Sequence, residues 1–260
     1  SQYVTALMLI APLIRDGLSL GLSTDLVSRP YVEITKAVMR SFGAIDVHIA
    51  HRHVTVAESG YRATRYEVEP DASSASYPLA AAAIVGGAVR VRGLGRNSLQ
   101  GDAVFCDVLE QMGCLVTTGP SDIVVMRRRD TPLRGININM SHISDLVPTL
   151  AVVATQATTP TRITGVGFIR EKESDRLGDL AAELAKLGAA VTVEPDGLLV
   201  APSDLLHGAR LDTHHDHRLA MSFGLLGLVV DGIEIVDPGV VSKSWPGFWD
   251  ALDAMPAKRT

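Results

Sequence analysis

Seven consecutive polar residues, Arg170-Glu171-Lys172-Glu173-Ser174-Asp175-Arg176, six of them charged, stand directly before an apolar helix-like pattern. Lys172 and Arg176 are four residues apart, a spacing that on a helix puts two cations on one face, able to clamp a single anionic group. Asp216-His217-Arg218 runs into Leu219-Ala220-Met221-Ser222-Phe223 and so carries an arginine toward a buried helix, where it could grip a carboxylate with two hydrogen bonds. Ser1-Gln2, Ser28-Arg29 ahead of Pro30, Asp145, and Lys243-Ser244 likewise stand where helices are expected to begin. The first turn of a helix has unpaired N–H groups and a partial positive charge, so it attracts phosphate and carboxylate. Several such starts aimed at one place would hold two anionic ligands together.

Each of these residues taken singly has an ordinary explanation. Ser, Asp and Pro are preferred capping residues, and Arg29, Arg170 and Lys243 alone read as solvated surface charges. Their joint occurrence is what favours a site. His214, His215 and His217 could suggest a metal, but no carboxylate or further histidine completes a usual ligand spacing, so none is expected.

The elements that must position these residues recur. A small apolar first helix is followed by a short strand, a second amphipathic helix ending in Gly, and two strands joined by a turn, about four times over. First helices are expected at Gln2 to Leu13, Ser73 to Val85, Asp145 to Thr155 and Asp216 to Val229; second helices at Pro30 to Ser41, Gly101 to Met112, Ser174 to Leu187 and Trp245 to Met255. Gly43, Gly113 and Gly188 close three second helices, 70 and 75 residues apart. Hairpin-like stretches follow at Val47 to Val56 and at Val191 to Val200, the latter turned by Pro195-Asp196-Gly197. The pattern gives an α/β (α+β) chain of repeated βαβαββ units whose apolar helices pack against one another inside a shell of strands. Glu69-Pro70-Asp71 interrupts the repeat, which predicts a domain boundary: residues 1–70 in one partial domain, 71–260 in a second.

Composition narrows the function classes. With 47% hydrophobic and 20% charged residues over 260 positions, the chain can bury one large core or two smaller ones. A net charge of -5 does not supply the basic face that nucleic acid or an anionic membrane would need, so anionic ligands must be held locally. Cys106 and Cys114 form neither a disulfide framework nor a zinc motif, which fits a reducing cytoplasm. The apolar stretches Leu79 to Val85 and Leu219 to Val230 are shorter than the roughly 20 residues of a membrane span. The first residues lack a signal-peptide pattern and open straight into an apolar run, as though an N-terminal portion were absent.

Eight segments in order, SQYVTALMLIAPL, DLVSRPYVEIT, EPDASSASYPLAAAAI, GRNSLQGD, HISDLVPTLAV, KESDR, HHDHRLAM and VSKSWPGFW, span nearly the whole chain. Together they resemble the 5-enolpyruvylshikimate-3-phosphate synthase family, also called 3-phosphoshikimate 1-carboxyvinyltransferase. The resemblance implies an inside-out α/β barrel of the enolpyruvyl transferase type, two domains that close on the substrates, and residues 1–70 as part of the upper substrate-binding domain. It implies transfer of enolpyruvyl from phosphoenolpyruvate to shikimate 3-phosphate on the route to aromatic amino acids, with no metal or organic cofactor, by a cytoplasmic monomer that binds neither nucleic acid nor membrane.

By the same resemblance, Ser1, Gln2 and Ser28 bind shikimate 3-phosphate, the serines at its phosphate, with Tyr31 beside them. Asp145 contacts the acceptor hydroxyl and takes its proton, and Lys172 contacts the shikimate moiety. Arg176, Arg218 and Lys243 are the phosphoenolpyruvate cations, His217 lies among the substrate-binding residues, and Glu173, or alternatively Lys243, delivers a proton to the methylene carbon. Two departures stand out: Phe168 occupies a position where some members carry an Asn, and a family segment with a Lys-Ser pair, a Gly-containing loop and an Arg is missing. The chain alone is therefore expected to turn over slowly or not at all. The alternatives are transfer to another hydroxyl, as on a UDP-sugar or nucleotide, a catalytically silent fragment, and an RNA 3'-phosphate cyclase on similar repeats, which the acidic balance disfavours.

Overall fold

The structure, a computed structural model, describes residues 1–26, 28–203 and 205–255. They divide into two compact units, Ser1–Glu69 with Ser98–Gly101, and Pro70–Asn97 with the described residues from Asp102 onward. In the first unit, α1 (Gln2–Ile10) passes into a 3-10 turn at Ala11–Leu13, followed by β1 (Leu18–Gly21), α2 (Arg29–Ser41), β2 (Val47–Ile49) and β3 (His53–Val56). Its antiparallel sheet has the order β1-β3-β2. α1 ends two residues before Pro12, whose ring removes a backbone donor and tightens the chain into the 3-10 turn. The core of this unit is small: Val4 and Met8 of α1 and Val32 and Met39 of α2 close over Val47, Val54 and Val56.

The second unit runs α3 (Ala72–Val85), β4 (Gly87–Arg92), α4 (Phe105–Gln111), β5 (Leu115–Thr118), β6 (Asp122–Arg127), β7 (Asn137–Asn139), α5 (Val147–Ala154), β8 (Thr161–Thr164), α6 (Gly178–Lys186), β9 (Ala190–Glu194), β10 (Gly197–Ala201), β11 (Arg210–Leu211), α7 (His217–Leu226), β12 (Glu234–Ile235) and α8 (Phe248–Asp253). From β7 to β10 it is a full βαβαββ unit with strand order β7-β8-β10-β9, β7 parallel to β8 and the rest antiparallel. The sheet β4-β6-β5 repeats the β8-β10-β9 part of that pattern. β11 and β12 form a parallel pair.

Helices α3, α5 and α7 pack on one another and are buried nearly all round; every residue of α5 is buried. That is why they carry no polar face in sequence: no side of them meets water. A ladder of hydroxyls crosses this apolar bundle, Ser76 Oγ to Thr149 Oγ1 and Thr149 Oγ1 to Ser222 Oγ, each at 3.4 Å and each between residues 73 apart. Equal spacing and burial make α3, α5 and α7 counterparts in a repeat.

Three expected second helices begin later than the spacing predicts; α4 starts at Phe105, after a 3-10 turn at Gly101–Val104. α6 starts at Gly178, not Ser174, because the Asp175 carboxylate accepts from the Leu177 and Gly178 backbone N–H groups at 3.1 and 2.9 Å and caps the helix from outside. Lys172 to Arg176 therefore lie in a loop after the 3-10 turn Gly167–Glu171, and not on one helix face. α8 starts at Phe248, not Trp245, since Pro246 pushes the residue before it out of the helical region. Lys243 instead ends a 3-10 turn, Pro238–Lys243.

Candidate active site

In the second unit, the N-terminal ends of α5 and α7 and the Lys172–Arg176 loop bring six predicted residues together. The Asp145 carboxylate, in the 3-10 turn that leads into α5, accepts from Lys172 Nζ at 2.5 Å, Arg176 Nη1 at 3.0 Å and Arg218 Nη2 at 2.9 Å. Asp216 caps α7 by accepting from the Arg218 N–H at 2.8 Å. It also receives Arg176 Nε at 2.6 Å and the Ser174 hydroxyl at 3.3 Å. Arg176 Nη2 reaches Glu173 at 2.6 Å, and Lys243 Nζ donates to the other Glu173 oxygen at 2.7 Å. The loop that displaced the expected helix face thus still delivers both of its cations, to one carboxylate.

Burial grades this cluster. The Arg176 side chain is 1% exposed and Asp216 0%, so a charged pair is removed from water and is tolerable only because its hydrogen bonds are met. Lys243 is 57% exposed and Lys172 25%, which leaves both able to turn toward a ligand. Burial alone would push the Asp145 carboxyl up, but Arg218, Lys172 and Arg176 outweigh it and hold the group well below the usual carboxylate range. Burial likewise opposes ionisation of Glu173, yet the hydrogen bond from Lys243 and the charge of Arg176 bring it down to about 2. Four cations face three carboxylates here, so the cluster has room for an added anion.

His217 is buried at 4% exposure; its Nδ1 lacks a hydrogen-bond partner among the described residues, and burial followed by the Arg218 charge lowers its pKa. The other two histidines lie apart from it: His214 pairs with Glu183 at 2.9 Å, and His215, largely exposed, faces Asp237. Arg170 binds Asp175 at 2.9 Å and braces the loop, while Arg29 pairs with Glu33 at 3.1 Å. Phe168 packs against the core.

In the first unit, Ser1 is the residue before α1 and Gln2 its exposed first residue; Ser28 precedes α2, with Tyr31 in its first turn. Ser28 is 5% exposed and holds a left-handed backbone, φ 54 and ψ 42, which a non-glycine residue adopts at a cost. The side chains of α1 and α2 meet through Thr5 Oγ1 and Thr35 Oγ1 at 3.0 Å.

Tyr77 was not foreseen. Within an apolar helix pattern an aromatic residue reads as core, and it is 1% exposed against Phe248. Its hydroxyl, however, is buried with no hydrogen bond of good geometry among the described residues, and burial pushes its pKa up to about 12 despite the nearby Arg218 charge. Ser174, a ligand of Asp216, was foreseen only as a capping residue.

The family model for EPSP synthase (3-phosphoshikimate 1-carboxyvinyltransferase) matches residues 1–252. The chain belongs to the EPSP synthase family. The 3-phosphoshikimate 1-carboxyvinyltransferase of Methanosphaerula palustris is 45% identical over 254 residues, covering 98% of this chain and 59% of that protein. The protein of the same name from Methanoculleus marisnigri is 46% identical, with 97% and 59% covered. The EPSP synthase structure from Acinetobacter baumannii superposes with a TM-score of 0.78 at 26% identity, over 97% of this chain and 59% of the other. The repeated βαβαββ units read from the periodicity and the α/β enolpyruvyl transferase fold implied by the resemblance are both met in the fold of this EPSP synthase family member. It spans about 59% of the length of the relatives it matches. Among the described residues no helix is long and apolar enough to cross a membrane.

Proposed function

We propose that this chain supplies most of the machinery for enolpyruvyl transfer from phosphoenolpyruvate to shikimate 3-phosphate, releasing phosphate. The observation that carries this reading is the convergence of Lys172, Arg176 and Arg218 on Asp145, with Lys243 on Glu173 beside them. Cations gathered beside the N-terminal ends of α5 and α7 stabilise negative charge that develops in a transition state. In this reading the substrates' phosphate and carboxylate groups compete with Asp145 and Glu173 for these cations.

The acceptor hydroxyl attacks C2 of phosphoenolpyruvate and its proton passes to Asp145, while C3 gains a proton from Glu173 or Lys243. Expulsion of phosphate from C2 of the tetrahedral intermediate, with return of a C3 methyl proton to the group that supplied it, then restores the double bond. Asp145 held below the normal carboxylate range is a weak base. Withdrawal of Arg218 toward an anionic ligand removes a charge that opposes the effect of burial, and so raises the proton affinity of Asp145 for the step. Arg176 is so completely engaged that it reaches phosphoenolpyruvate only if Asp145 or Glu173 yields a contact. Lys172 and His217 are assigned to substrate binding, as are Ser1, Gln2, Ser28 and Tyr31 of the first unit, the serines at the shikimate phosphate.

Residues 1–70 are taken as part of the upper substrate-binding domain and 71–260 as the second domain. The protein is read as a cytoplasmic monomer that needs no metal or organic cofactor. Titration calorimetry with shikimate 3-phosphate tests the site. Asp145→Ala or Lys172→Ala should each weaken binding by tenfold or more, about 1.4 kcal/mol; binding unchanged in both variants would remove these residues from the site.

A further inference from the structure

At the far end of the core helices, the guanidinium of Arg127 closes the C-terminus of α3. Its Nε donates to Ala83 O, its Nη2 to Ile84 O at 3.0 Å, and its Nη1 to Thr131 O at 2.5 Å and Arg128 O at 3.3 Å. Four carbonyls at or near a helix end are thereby met by one planar cation, the match of charge and geometry expected there.

The next repeat lacks that cation. The helix spacing of 73 that relates Ser76 to Thr149 takes Ala83 and Ile84 to Gln156 and Ala157. The strand spacing of 75 that relates Gly113 to Gly188, and the buried pair Ile123 and Val125 to Leu198 and Val200, takes Arg128 and Thr131 to Ser203 and Leu206. It takes Arg127 to Pro202. All four counterparts of the carbonyl residues, together with Pro202, line a cavity of about 810 Å³. A socket filled from within in one repeat is open in the other.

The lining of that cavity favours a cation. Neither lysine nor arginine contributes to it among the described residues, and Asp231 does. Its hydroxyl hydrogens are spent inward: Thr155 Oγ1 donates to Val152 O at 2.8 Å, Thr158 Oγ1 to Leu133 O at 3.0 Å and Ser203 Oγ to Gly188 O at 2.8 Å. The Gln156 amide N–H donates to Thr155 Oγ1 at 3.1 Å, which leaves its carbonyl oxygen as an acceptor. His207 Nδ1 meets Gly208 O at 3.0 Å and must donate there, so its neutral ring presents an acceptor at Nε2.

We propose that this cavity binds a small organic monocation with a guanidinium head, seated where the preceding repeat seats the Arg127 side chain. The head meets the oxygens at the end of α5 and the Asp231 carboxylate, and the remaining volume takes an alkyl body of a few carbons. The site involves none of the residues assigned to enolpyruvyl transfer.

Butylguanidinium is a suitable probe, titrated into the whole chain and followed by amide NMR shifts and by Tm. Saturable shifts confined to Thr155, Thr158, Ser203, His207 and Asp231, with a Kd in the millimolar range, are expected. Pro202→Arg, which tethers a guanidinium in the socket, should abolish them and raise the Tm of the unliganded protein; Asp231→Asn should weaken binding about tenfold, equivalent to about 1.4 kcal/mol. Three results overturn the proposal: no saturable shift, equal shifts from potassium chloride or butylammonium, or undiminished binding in a folded Pro202→Arg protein. Should Pro202→Arg not fold, undiminished binding by Asp231→Asn overturns it instead.

Discussion

Three cations on one carboxylate fix the charge of Asp145 but also tie stability to pH. Asp145 and Glu173 both titrate below their ordinary values, Glu173 at about 2. A carboxyl whose folded pKa is depressed contributes stability that is fully present above its unfolded value, about 4.3 for Glu, and is lost as pH falls through the folded one. Urea denaturation between pH 6 and 2.5 should therefore show stability declining below about pH 4.5, within the usual unfolded range for Glu. Glu173→Gln should flatten part of that decline. An identical slope in the variant would mean that Lys243 and Arg176 do not hold Glu173 in solution.

Much of this cluster was legible because cations and carboxylates at helix starts carry their chemistry in their type. Asp145, Lys172, Arg218 and Lys243 were all marked out that way. The burial of Arg176 was not, since a charged residue in a charged run reads as solvated until its three carboxylate partners, 3 to 40 residues away along the chain, are known. Tyr77 was hidden for the opposite reason: its phenol sits in a helix of small and apolar residues, Ala72–Val85, where the apolar ring explains the residue and the hydroxyl goes unnoticed.

At the scale of the element, close packing decides the effect of small changes. Gly224 lies in α7, and a Cβ built there meets Trp249 Cζ3 at 2.8 Å, Leu252 Cδ2 at 3.2 Å and Phe248 Cε1 at 3.3 Å. Alanine favours a helix by about 1 kcal/mol over glycine, but overpacking a filled core costs about 1–3 kcal/mol. Trp249 cannot simply swing away, because its indole N–H is held by Pro238 O at 2.9 Å. Gly224→Ala should therefore lower the Tm measured by circular dichroism, and a rise would show that α8 gives way at little cost. The late starts of α6 and α8 share a local cause: Asp175 capping from outside α6 and Pro246 ahead of α8 both act within a few residues. Apolar periodicity places a helix but does not register which side chain turns back to end it.

At the scale of the whole chain, the two units differ in how much they bury. The larger core surrounds α3, α5 and α7, whereas the first unit closes over a handful of side chains from α1, α2 and its sheet. Native-state hydrogen exchange should find the slowest amides in α5 and α7, and those of α1 and β1 exchanging sooner through local opening. Equal protection in the two units would contradict this division. The repeat itself was readable at this scale from Gly43, Gly113 and Gly188, which mark the ends of successive second helices by a backbone requirement that no other residue meets as easily.

The hydroxyl rungs between Ser76, Thr149 and Ser222 act as a registration key. Three helices sheathed in alanine, valine and leucine could slide past one another with little change in apolar contact, and a slip of one turn would move an end by about 5.4 Å. Any such slip would part the Thr149 and Ser222 hydroxyls from their partners inside a dry bundle, where a polar group without a partner is costly, while Ser76 keeps its bond to Ser73 O at 2.7 Å. The alignment that places Arg218 within 2.9 Å of Asp145 is thus locked one turn below, by side chains that touch none of the charges they hold in step.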